Sequence, residues 1–221
     1  MIQYRPPPNG TFYVEASIGS SIKGLKVGTG KYGAFDPPNG VMNELKTDSN
    51  SVTPFLKIGK DYENYKVDLS YYRFDYGTTK WSTVFPGSTS LMTGKLHSDT
   101  FFLSTYYKYK PKSNPDWKPY IGVGIGQSWN HMNDTEEITT PNRIIRGNTE
   151  INTAYKVDIG FDYDINKKSR VNFNTSLLNI GDFQSGNSRR RIDNNVIGTI
   201  TPYEIINKFV PIYSAGLSFK F

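Results

Sequence analysis

Period-two alternation is the feature that most limits what this chain can become. In the closing stretch 208–221 (KFVPIYSAGLSFKF), Phe221, Phe219, Leu217, Ala215, Tyr213, Pro211 and Phe209 share one face. Lys220, Ser218, Gly216 and Ser214 share the other. Successive strand side chains point to opposite sides, so this is a strand with one oily and one polar face. Seven earlier segments alternate in the same way: 11–23, 51–60, 65–77, 98–110, 118–130, 150–164 and 170–179. Short turns at 61–64, 111–117 and 165–169 alternate with long, turn-rich stretches at 24–50, 78–96, 131–149 and 180–207. Both chain ends fall on the short-turn side.

This layout predicts an all-β fold: an eight-stranded antiparallel up-and-down transmembrane β-barrel with short periplasmic turns and four long extracellular loops. Residues 1–10 are expected to form a periplasmic N-terminal tail, and 11–221 a single barrel domain. A soluble eight-stranded barrel would carry its oily face inside. Here the polar face mixes Gly and Ser with isolated charges, which suits a narrow filled interior. Tyrosines (Tyr65, Tyr109, Tyr120, Tyr163) also gather beside the short turns, where an interfacial girdle belongs.

Mean hydropathy is −0.54 and 36% of residues are apolar, so no apolar run spans a bilayer as a helix. That does not exclude a membrane barrel, whose strands show lipid only every second side chain. The chain has no cysteine, which removes a disulfide framework and thiolate metal sites. Met1 leads straight into the polar, proline-rich 3–10 (QYRPPPNG), as expected of a mature chain with an added start residue. The net charge of +6 favours anionic partners in general, and nothing points to nucleic acid.

With the segments placed, the chain resembles the opacity (Opa) family of Gram-negative outer-membrane proteins. The likeness is densest at Lys118-Pro119-Tyr120-Ile121-Gly122, at 51–72, and at the closing Ala215-Gly216-Leu217-Ser218-Phe219-Lys220-Phe221. The resemblance implies an outer-membrane barrel with surface-exposed loops and periplasmic termini, acting as an adhesin toward host or environmental ligands. That family is also often classed with porins, so a small-solute channel with a narrow charged lumen is the alternative. The implied partners are outer-membrane lipids and lipopolysaccharide, a host receptor or sulfated polysaccharide, and the barrel assembly machinery. No cofactor is implied, and a monomer is expected. A terminal aromatic strand resembles the signal read by that machinery, which gives Phe221 its expected role.

Parity assigns Glu15, Lys57, Lys66, Asp68, Lys108, Lys156, Asp158, Asp162 and Lys220 to the interior. Charges of both signs in a narrow lumen should pair, since burying one alone is costly. The expected ligand-binding residues are Arg189, Arg190 and Arg191 in the fourth loop, with Trp81, Phe85, Tyr32 and Phe35 as aromatic anchors. Three adjacent arginines suit sulfated sugars, acidic receptor patches or lipid phosphates. The plainer reading is a solvated loop, or ion pairing with Asp193, Asp134, Glu136 and Glu137.

No catalytic residue is expected. His97-Ser98-Asp99 has triad composition, but consecutive strand residues diverge and cannot converge on one substrate. Gly122-Val123-Gly124-Ile125-Gly126 lacks the helix that makes a glycine loop bind phosphate, and its inward glycines instead leave room for large neighbours such as Tyr106. Pairing about the 111–117 turn would set His97 nearly opposite His131 at the outer rim. No third ligand is evident there, so no metal is expected.

Overall fold

The computed structural model describes residues 10–21, 41–47, 52–85, 88–113, 116–139, 143–193, 195–199, 202–207 and 209–221. The expected tail at 1–10 lies almost wholly outside them. Eight strands build the barrel: β1 (Thr11–Ser21), β2 (Val52–Asp61), β3 (Tyr65–Phe85), β4 (Ser88–Lys108), β5 (Trp117–Met132), β6 (Asn148–Asp164), β7 (Ser169–Asn179) and β8 (Val210–Lys220). Each pairs antiparallel with the next. β8 then closes on β1, from Tyr13↔Lys220 to Ser21↔Ile212. The architecture is therefore a closed eight-stranded antiparallel barrel, and no helix occurs among the described residues.

The oily face points outward. Ile18 and Ile159 are 59% and 62% exposed, whereas Glu15 and Asp158 are fully buried. A water-soluble barrel would invert this pattern, so the outer belt is a lipid-facing surface. At the short-turn end the belt closes in a ring of exposed Tyr65, Tyr107, Tyr109, Trp117 and Tyr163. Tyr120 departs from the expected girdle. It faces inward, and its hydroxyl accepts a hydrogen bond from Asn172 Nδ2 at 2.7 Å. Phe221 N–H donates to the Phe12 carbonyl at 3.0 Å, and the two rings stack across the closing seam.

Two further expectations need correction. The stretch 78–96 is no irregular loop, because β3 and β4 run 21 residues each, far beyond the belt. Loop one also contributes a strand, Val41–Thr47, paired with the outer part of β3. The register of the long hairpin shifts at Asp75–Thr78, where Gly77 adopts φ 62° and its N–H donates to Asp75 Oδ1 at 2.8 Å. One extra residue at such a bulge exchanges the faces of every later side chain. Tyr72, Phe74 and Tyr76 are inward before the bulge, and Thr79 and Trp81 after it. Trp81 is thus buried in the core, not presented as an anchor.

A side chain at a left-handed position costs about 1–2 kcal/mol. Gly77→Val should lower barrel stability by about that much, read from urea unfolding in micelles followed by the mobility shift of the folded form.

Candidate functional site

The barrel interior has two zones. Next to the short turns, five buried cations (Lys57, Lys66, Lys108, Lys156, Arg170) meet five buried anions (Glu15, Asp61, Asp68, Asp158, Asp162) among the described residues. Lys57 pairs with Glu15 at 2.7 Å, and Glu15 also accepts from Ser17 and Ser218, both at 2.9 Å. Lys156 pairs with Asp158 at 3.1 Å and Lys66 with Asp162 at 3.3 Å. The Lys66 ammonium also lies 4.3 Å from the Tyr120 ring centroid. Tyr13 donates to Asp68 at 2.8 Å. Arg170 reaches Asp61 at 2.6 Å, Asp162 at 2.9 Å and Asp164 at 2.8 Å, while Lys108 pairs with Asp61. At the turn end, Lys220 and Lys118 both hold Asp164, Lys220 at 2.6 Å.

All eight of the inward charges expected in the wall strands β1–β6 are buried here, and Lys220 sits at the edge. Arg170, Asp61, Asp164 and Lys118 were not foreseen. The signal was available: Arg170 shares parity with Asn172 and Asn174, and Asp61 with Lys57 and Gly59. Close packing completes this zone, since a Cβ on Gly122 would sit 2.2 Å from the Tyr106 ring. That matches the expected use of the inward glycines.

Toward the loop end the inward face turns apolar, which strand parity alone did not indicate. Phe55, Tyr72, Phe74, Trp81, Met92, Leu96, Phe102 and Met132 form one cluster with residues of the fourth loop. That loop folds onto the mouth. Asn130 Nδ2 donates to the carbonyls of Ile180 (2.9 Å), Gly181 (3.1 Å) and Asp182 (2.9 Å), and Asn152 Nδ2 reaches Asp182 at 2.9 Å. Phe183–Gln184 pairs with Glu204–Ile205, and Phe183 packs edge-on against Tyr76 with centroids 5.5 Å apart. Gly181 makes the entry possible. It sits at φ 74°, and a Cβ there would lie 2.3 Å from the Asn152 side chain.

The arginine triplet lies in a strand rather than a loose loop. A small sheet grows from β4 through Thr135–Glu137, Arg143–Ile145, Ser188–Arg191 and Val196–Thr199 in that order. Within it Arg189 is committed to Glu137, which also accepts from Ser90 Oγ at 3.0 Å. Arg191 lies directly opposite Arg143, and Arg190 opposite Ile144. Arg190, Ile144, Arg146 and Asp134 line an open pocket of about 410 Å³. The Nε of Arg190 is buried there with no hydrogen-bond partner among the described residues. Arg143 and Arg146 were not expected at this surface, because their approach depends on strand pairing between two loops. Of the aromatic anchors, Tyr32 and Phe35 lie outside the described residues, and Phe85 is the last residue of β3.

Just above the lipid belt, the outer face of β4 and β5 turns polar. His97 and His131 are cross-strand partners with stacked rings, centroids 4.5 Å apart. Asp99 accepts from Tyr71 Oη at 2.6 Å and Arg73 Nη1 at 2.5 Å. Burial pushes His97 below the ordinary imidazole range, and the positive charge of Arg73 adds to this. Burial acts to raise Asp99, but the hydrogen bonds from Arg73 and Tyr71 outweigh it and hold the carboxyl low.

Solved structures with this fold include Neisserial surface protein A, at 13% identity over 95% of this chain and 97% of that one, with a TM-score of 0.52. The outer membrane protein OprG from Pseudomonas aeruginosa matches at 13% identity over 96% of each chain, with a TM-score of 0.58. The chain is similar to both as an eight-stranded outer-membrane barrel, and at such identity the similarity is one of fold. No family model and no curated protein matches it.

Removing one partner from a buried ionic network costs about 3–5 kcal/mol, because the remaining charges stay buried. Arg170→Met should destabilise the barrel by about that amount in urea, more than Lys118→Met at the half-open turn end.

Proposed function

We propose that this chain is a non-enzymatic, monomeric outer-membrane surface protein with periplasmic termini, and that its extracellular loop sheet binds anionic ligands. This is the adhesin reading of the resemblance to opacity proteins. The single observation that carries it is the direct opposition of Arg191 and Arg143 on one face of the loop sheet. Like charges directly opposite in a sheet destabilise it. A sulfate, phosphate or carboxylate group bridging two guanidiniums turns that repulsion into paired charge-assisted hydrogen bonds. Sulfated polysaccharide, acidic receptor patches and lipopolysaccharide phosphates all present such groups. The sheet continues a barrel strand, so the arginines are held in place before the ligand arrives, which reduces the ordering cost of binding.

The rival reading is a small-solute porin. Eight strands leave an interior just wide enough for side chains. Here that space holds a charge network, an apolar cluster and a folded loop, and its wall residues are closed to water. This supports the scaffold reading over the channel.

Arg143→Ser, Arg190→Ser and Arg191→Ser combined should weaken heparin binding by at least about tenfold, because charged hydrogen bonds contribute ~1.5–3 kcal/mol each. Binding by the unaltered protein should also fall as salt rises. Arg189 is kept, since its loss strands buried Glu137. Salt-insensitive binding that survives the triple change removes the arginine surface from the account. In planar bilayers the barrel should give no reproducible unitary steps. Deleting Phe221 should slow insertion by the assembly machinery while leaving ligand binding by folded protein intact.

A further inference from the structure

We propose that the rim just above the lipid belt holds one divalent transition-metal ion of the zinc class, ligated by His97, His131 and Asp99. Its three ligands lie apart from the arginine surface, and the site does not depend on that reading. His97 and His131 are register partners on adjacent strands, so their side chains leave the sheet side by side on one face. Asp99 stands two residues from His97 on β4 and therefore shares that face. Candidate ligand atoms of all three lie within 4.8 Å of one another. Tetrahedral zinc with bonds near 2.1 Å sets its ligands about 3.4 Å apart. His131 Nε2 and Asp99 Oδ2 are already 3.8 Å apart, so modest side-chain rotation closes the set.

The surroundings fit a ligand shell as well as a packing contact. His131 Nδ1 lies 2.8 Å from Thr149 Oγ1. With Nδ1 donating there, the lone pair of Nε2 faces Asp99 and is free to bind a metal. Ligating histidines characteristically anchor their second nitrogen in this way. Asp99 is oriented by Tyr71 Oη at 2.6 Å, which leaves its second oxygen to be shared. Two imidazoles and one carboxylate suit zinc, nickel or copper, whereas calcium and magnesium favour all-oxygen shells. Three protein ligands leave a fourth position open. Beside the histidines lies a pocket of about 250 Å³ with Asn133, Asp134, Arg146 and Thr149 in its wall, where water or an exchangeable ligand has room.

Arg73 works against the site, because its guanidinium lies 2.5 Å from the Asp99 oxygen the metal would take. That opposition supplies a prediction that simple ring stacking does not make. Removing the positive charge should tighten metal binding, whereas loss of a merely structural ion pair would leave it unchanged.

The test uses the full, untagged chain folded in detergent micelles and dialysed against zinc chloride, with bound metal measured by elemental analysis. Folding of each variant is checked by the mobility shift of the folded barrel. One zinc per barrel is expected. His97→Ala and His131→Ala should each weaken it by at least about tenfold, because removing a ligand to the metal costs no less than the 10–100-fold lost when a residue that merely orients a ligand is changed. Arg73→Gln should bind more tightly, and calcium or magnesium should not displace the zinc. Nickel or copper should quench Trp129, which lies two residues from His131 on the same face, and the quenching should vanish in the double histidine variant. Histidine-selective NMR should show zinc moving both imidazoles together. The proposal is overturned if the unaltered chain binds no zinc, or if a folded His97→Ala/His131→Ala variant binds it equally well.

Discussion

The structure depends on the backbone ladder between β8 and β1, from Tyr13↔Lys220 to Ser21↔Ile212. Each backbone group left unpaired in hydrocarbon costs several kcal/mol, so an open edge at this seam is not sustainable in a bilayer. Closure at eight strands then dictates the rest. It sets a lumen about as wide as the side chains that fill it, and it turns the apolar set of every strand outward. The Phe12–Phe221 stack and the backbone bond beneath it complete the seam at the short-turn end.

A narrow closed interior leaves buried charge little choice. Among the described residues five cations and five anions lie inside, and Arg170 joins three carboxylates into one network with the lysines around it. Such a network contributes little over a well-packed apolar core, but any single loss from it is expensive. The arrangement therefore holds one register and one packing, and Gly122 lets the Tyr106 ring lie close against the wall. A wall this full serves as a scaffold. The proposed recognition surface lies at the end where the strands outrun the lipid.

At that end the strands continue to pair instead of fraying. β3 and β4 carry their hairpin past the belt, and four short strands extend from β4. Loop segments far apart in the chain thereby become neighbours: Arg143 meets Arg191, and Glu137 neutralises Arg189. The fourth loop is bound to the mouth by Asn130 and Asn152, which couples the arginine strand to the rigid wall. On the outer rim the same pairing sets His97 against His131, with Asp99 alongside.

The alternation of oily and polar residues was enough to determine the strand number, the up-and-down order and the side facing the lumen, because strand parity is a local property of the backbone. It also placed Glu15, Lys57 and Asp158 inside, and the pairing of His97 with His131 followed from symmetry about one short turn. Parity fails wherever the count of residues along a strand is broken. The Gly77 bulge exchanged the faces beyond it and buried Trp81, a change that composition does not announce. Cross-loop pairing was equally hidden, since residues 137, 143 and 189 come together only through hydrogen bonds between segments with no shared period. So the sequence settled what faces lipid, while the tertiary structure decided which loop charges are neutralised and which are set opposite one another, because that depends on partners distant in the chain.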